Sequence, residues 1–244
     1  MQFDEELAAI LFQLANEARL SVIQDLPLFI AAREISFLYH FTSLQNLKSI
    51  LENGLMGRES LQKLSIEPKL SDFYRNEPIK DGVCFSISAP NNFMASSKLS
   101  QGHDLVLLEI SNVSEILVEH NFIASPGNFG SKELKRKIQE WPEEFVGGQG
   151  LMNMFENQEI RKKYNLAINE PTDPQSEIIL LQPLNPKYIN RIIAPSSKGY
   201  ANQDEIRKVS KYLPKNLIIE SQNNDIFPEI DSSEYYARSW SHSW

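Results

Sequence analysis

The sequence predicts an α+β fold in a single mixed domain, and three observations carry that reading. Apolar residues recur at helical spacing before residue 36, and apolar runs of strand length dominate from Gly82 onward. No repeat, low-complexity tract or Pro/Gly/Ser linker divides the chain. At 244 residues the chain can bury a real core, and its 41% apolar and 23% charged fractions exclude wholesale disorder. No stretch approaches the roughly 18 uninterrupted apolar residues of a membrane span. The start, Met1 to Glu6, is acidic where a signal peptide would be basic, so the expected location is cytoplasmic. Cys84 alone forms no internal disulfide, and with four scattered histidines it makes no zinc pattern, so no metal is expected. A net charge of −8 argues against nonspecific coating of nucleic acid while leaving room for a local basic groove.

Taken in order, residues 4–33 read as helix. Asp4, Glu5 and Glu6 suit a positive helix N-terminus, Leu7, Ile10, Leu11 and Leu14 form a stripe, and Pro27 breaks the segment in two. Residues 36–41 read as a strand. Thr42 and Gln45 then fit a capping box, with Leu44, Leu47, Ile50 and Leu51 as the apolar stripe and Asn53-Gly54 as the stop. Strands follow at 83–87, 105–110 and 116–118. Residues 131–164 return to helix and loop, broken by Pro142 and by a glycine-rich loop at 147–150. Further strands are expected at 177–181, 188–194 and 216–220, with a helix at 204–212.

Few residues stand out chemically. His40, at a strand end before a capped helix, is either a half-buried strand residue bonded to backbone or a ligand contact beside free helical N–H groups. His103, His120 and His242 read as solvated. Glu177 opens an apolar strand after a Pro-rich turn. Period-two alternation puts it on the same face as Gln175, so the pair is either a solvated cap or a ligand-binding pair. The basic run Lys132, Lys135, Arg136 and Lys137 is either a solvated helix face or, with Trp141 and Phe145, a single-strand platform. Phosphate loops, nucleophile elbows and metal motifs are absent from the sequence.

Three blocks in order resemble the DarT family of nucleic-acid ADP-ribosyltransferase toxins. Tyr39-His40-Phe41-Thr42 with Asn46-Leu47, Ile50-Leu51 and Gly54-Leu55 resembles the family's opening motif. Residues 83–91 with Phe93-Met94 resemble the strand and Pro-Asn-x-x-Met segment of its guanine-modifying branch. Pro174-Gln175-Ser176-Glu177-Ile178 resembles the block carrying the catalytic glutamate, and Pro186, Tyr188, Ile189 and Ile192 continue the match.

The resemblance implies an ADP-ribosyltransferase-like central sheet at 37–220, with a helical extension at 1–36 and an acidic tail at 221–244. It implies that His40, Phe41, Thr42, Asn46 and Gly54 line a site for NAD⁺, used as a substrate. Glu177 would be the catalytic acid, with Arg75 assisting or, failing that, Arg58. Gln175, Lys135 and Arg136 would meet the acceptor, expected to be guanine in single-stranded DNA, with RNA next. The implied context is a toxin–antitoxin or phage-defence system with a macrodomain antitoxin. NAD⁺ hydrolysis with water as acceptor, and a silent NAD⁺-binding module, stand as the alternatives.

Overall fold

Val, Ile and Leu runs build the centre of the molecule. In a computed structural model that describes residues 2–21, 25–70, 79, 81–195, 219–222 and 238, they form a seven-stranded sheet. The strands are β1 (Leu38–Ser43), β2 (Val83–Ile87), β3 (Leu105–Ile110), β4 (Phe122–Ser125), β5 (Glu177–Leu180), β6 (Ile189–Pro195) and β7 (Ile219–Gln222). Their order is β4-β5-β2-β1-β3-β6-β7, antiparallel except for the β6–β7 pair. Nine α-helices surround the sheet among the described residues: α1 (Gln2–Ser21), α2 (Leu26–Ala32), α3 (Leu47–Asn53), α4 (Arg58–Lys63), α5 (Asn92–Ser100), α6 (Val113–Glu119), α7 (Lys132–Glu140), α8 (Gly147–Asn153) and α9 (Gln158–Lys163).

Both faces of the sheet are covered, which is why β3 is buried along its whole length. One face packs Leu38, Phe85, Leu108, Ile178 and Ile192 against α2, α3 and α6. The other packs Ile123 and Ile179 against Leu7, Leu11 and Ala15 of α1 and Leu134 and Ile138 of α7. Each fully buried large side chain contributes about 1.5–3 kcal/mol. The N-terminal helices are therefore built into both cores.

Several expectations change. Residues 116–118 are not a strand: with Val113 they bury Ile116 and Leu117 at helical spacing, and α6 results. Residues 147–150 form the first turn of α8 rather than a loop. A Cβ at Gly150 would meet the Phe145 carbonyl oxygen at 2.6 Å, so glycine lets this helix lie tight on its neighbours. The cap after β1 is Ser43, not Thr42, because the strand runs two residues further than expected. The expected helix at 204–212 lies outside the described residues, as do 216–218 of the strand expected at 216–220, whose last two residues fall in β7.

The sheet is not uniformly stitched. β1 and β3 share six residue pairs, whereas β1 and β2 share two, Leu38↔Ile87 and Tyr39↔Ser86. Beyond Tyr39 the two half-sheets, β4-β5-β2 and β1-β3-β6-β7, separate.

Candidate active site

A cleft of about 280 Å³ opens where the half-sheets part. Tyr39, His40, Phe41 and Thr42 line one side and residues 82–86 the other. Successive residues of one strand point to opposite faces, so they share a cleft only where it runs between strands.

His40 is held from below. Its ring packs against Phe85 at 5.7 Å between centroids, and Nδ1 donates to the Cys84 carbonyl at 2.8 Å. That bond puts the proton of the neutral ring on Nδ1 and makes Nε2 an acceptor. His40 is thus bonded to backbone and at the same time lines the cleft. The free helical N–H groups expected beside it are committed. Leu44 N–H donates to the Asp104 carbonyl at 3.1 Å, and Gln45 N–H to Ser43 Oγ at 3.4 Å.

Asn46 organises the same wall. Its Nδ2 donates to Thr42 Oγ1 and to the Lys69 carbonyl, both at 3.0 Å, while Oδ1 accepts from Lys69 N–H at 2.7 Å. One side chain therefore ties the segment after α4 to the end of β1. Asp81, just ahead of β2, binds the start of α4 by accepting from Ser60 N–H and Oγ–H at 2.8 and 2.7 Å. Gly54 also lines the cleft. Its φ of +91° and the Leu184 carbonyl oxygen, 2.6 Å from where a Cβ would stand, both require glycine.

Glu177, 9% exposed at the head of β5, lines the cleft from the other half-sheet. The register Phe85↔Ile178 continues to Ser86 and Glu177, and Tyr39 pairs with Ser86. Tyr39, Ser86 and Glu177 thus form one row across the sheet. Sequence reading gave Tyr39 and Ser86 no role of their own, because only the register aligns them with Glu177. Asn91, also lining the cleft, caps α5 by accepting from Met94 N–H at 3.1 Å, and its own N–H donates to Ser86 Oγ at 3.1 Å. Its Asn-x-x-Met spacing was the available signal.

Behind Tyr39 lies a buried charge. Glu109, 3% exposed, accepts from Tyr39 Oη (3.3 Å), Asn190 Nδ2 (2.7 Å) and Arg191 Nη2 (2.7 Å). Burial, and after it the Glu109 charge, push the Tyr39 hydroxyl up to about 12.

Other expected site residues lie elsewhere. Gln175 precedes β5, so strand alternation does not govern it. It does not line the cleft, and its Oε1 accepts from Asn128 Nδ2 at 3.3 Å. Lys135 and Arg136 lie on α7, whose Leu134 and Ile138 pack against α1's core, and neither lines the cleft. Arg58 lines it, whereas Arg75 lies outside the described residues. His120 caps α6, donating from Nδ1 to the Ile116 carbonyl at 2.9 Å. Among the described residues no His/Cys/Asp/Glu group could hold a metal ion, and no helix is long and apolar enough to cross a membrane.

No protein-family model matches the sequence, and no curated protein does. The structure is similar to Thermosipho africanus DarTG in complex with ADP-ribose at 18% identity and a TM-score of 0.48, over 82% of this chain and 51% of that one. It is also similar to Thermus sp. 2.9 DarT in complex with NAD⁺ (17%, 0.45, covering 77% and 96%). With ADP-ribosylated ssDNA the same protein gives 16% and 0.42, covering 77% and 95%. The chain spans about half the length of the Thermosipho protein.

Proposed function

We propose that this chain is a DarT-like enzyme that transfers ADP-ribose from NAD⁺ to a nucleobase of single-stranded DNA, with guanine the expected base. One observation carries the reading: the first and last motif blocks, distant in sequence, meet in a single cleft, with His40, Thr42 and Asn46 on one wall and Glu177 on the other.

The residues fit such a substrate. The His40 Nε2 acceptor and the Thr42 and Asn46 side chains would supply polar contacts, and Phe41 and Phe85 of the same lining apolar ones. Breaking a nicotinamide–ribose bond develops positive charge at the anomeric carbon, as in glycoside hydrolysis. A carboxylate at Glu177 would accept from the ribose 2′-hydroxyl and stabilise that charge, and its burial strengthens the effect. A base nitrogen must be unstacked to attack, which favours single strands. Because Gln175 is engaged with Asn128 rather than lining the cleft, hydrolysis with water as acceptor is the second reading.

Incubation with labelled NAD⁺ and single-stranded DNA or RNA tests both. Label on DNA is expected. Free ADP-ribose alone would leave the hydrolase, and no turnover would overturn both. If the chain is a toxin with a macrodomain antitoxin, its expression arrests bacterial growth unless Glu177 is mutated or that partner is supplied, and harmless expression of active protein would remove the toxin role.

A further inference from the structure

A buried arginine from the C-terminal segment has no place in that chemistry, yet it reaches the turn leading to Glu177. Arg238 is 5% exposed. Its Nε–H donates to the Thr172 carbonyl at 3.2 Å, its Nη2–H to the Pro171 carbonyl at 3.2 Å, and Nη2 pairs with Glu170 Oε1 at 2.6 Å. Arg161, 7% exposed, holds the same turn by donating to the carbonyls of Glu170 (2.6 Å) and Ala167 (2.8 Å). Carbonyls of a turn that lack strand partners need donors once buried. A guanidinium, with five donors in a rigid fork, can serve three acceptors at once, which a lysine ammonium cannot do in the same plane.

The turn is coupled to the site by the next residues. Asp173, 2% exposed, accepts from Gln175 N–H through Oδ1 at 2.7 Å and from Ser176 N–H through its carbonyl at 3.0 Å, and β5 begins at Glu177. We propose that Arg238 is a positioning residue whose guanidinium fixes the 167–173 turn and with it the presentation of Glu177. The positional consequence rests on the reading of Glu177 as the catalytic acid. The clamp itself does not.

The test uses the full chain and compares Arg238→Ala, Arg238→Lys and Glu170→Gln with wild type. Amide hydrogen exchange is read across 167–176, alongside NAD⁺ affinity by calorimetry and single-turnover NAD⁺ cleavage with and without single-stranded DNA. Arg238→Ala is expected to speed exchange in this segment by on the order of tenfold or more, the change that losing a charge-assisted hydrogen bond produces. Cleavage should slow while NAD⁺ affinity holds. Arg238→Lys should recover little, and Glu170→Gln, which keeps the carbonyl contacts, should be milder. Unchanged exchange would overturn the clamp even if activity fell. Faster exchange with unchanged cleavage would overturn the positioning role. Were wild type to turn over no NAD⁺, the functional reading would fall, and the exchange data would still uphold or overturn the clamp.

Discussion

The two walls of the cleft are built in opposite ways. The wall carrying His40 draws its lining mostly from one stretch of chain, β1, α3, α4 and the segment to Leu70, where Asn46 bonds to Thr42 and to Lys69 and Ser43 to Gln45. The wall carrying Glu177 is assembled from a distance, with β5 between β2 and β4 and its approach turn held by Arg161 and Arg238. The first wall comes mostly from one stretch of chain, and the second presents one carboxyl group held in place by residues far apart in the sequence. Substitutions in the first should move affinity, and those in the second should move rate.

The largest expected effect is at Glu177. Glu177→Gln keeps the volume but removes the charge, and single-turnover transfer should fall by about 10²–10³ with NAD⁺ affinity largely retained. Equal loss of affinity and rate would break the contrast between the walls. His40→Ala should weaken NAD⁺ binding by about tenfold in calorimetry, the scale of one lost hydrogen bond, with a smaller effect on the bound-state rate. Asn46→Ala removes three hydrogen bonds and should lower unfolding stability by about 1–3 kcal/mol in denaturant melts, loosening residues 66–70.

The smallest effect separates the cleft from the charge behind it. Tyr39 is raised from 10.0 to about 12 in the folded protein. Its neutral form is therefore favoured by folding, and the associated stability is fully present below pH 10 and lost as pH rises towards 12. Tyr39→Phe should flatten the decline of stability across that window and change little at neutral pH. Melts at pH 7, 10 and 11.5 would show it, and an unchanged alkaline slope would remove Tyr39 as its source.

The sequence by itself determined the parts that rest on local periodicity. The strands at β1, β2, β3 and β5, the short helix before Gly54 and the helical start were legible because side-chain spacing follows backbone geometry within a few residues. His40 and Glu177 were legible as unusual residues for the same reason, each standing at the edge of an apolar run. Only the tertiary structure decided that they share a cleft, since no local pattern states that β1 and β2 part after two residue pairs. It also decided that Gln175 turns towards Asn128, that residues 113–119 coil into a helix, and that Tyr39, Ser86 and Glu177 fall in one row. Those outcomes depend on register and on long-range donors such as Arg238, which couple residues far apart in the chain through contacts that exist only once the sheet has closed.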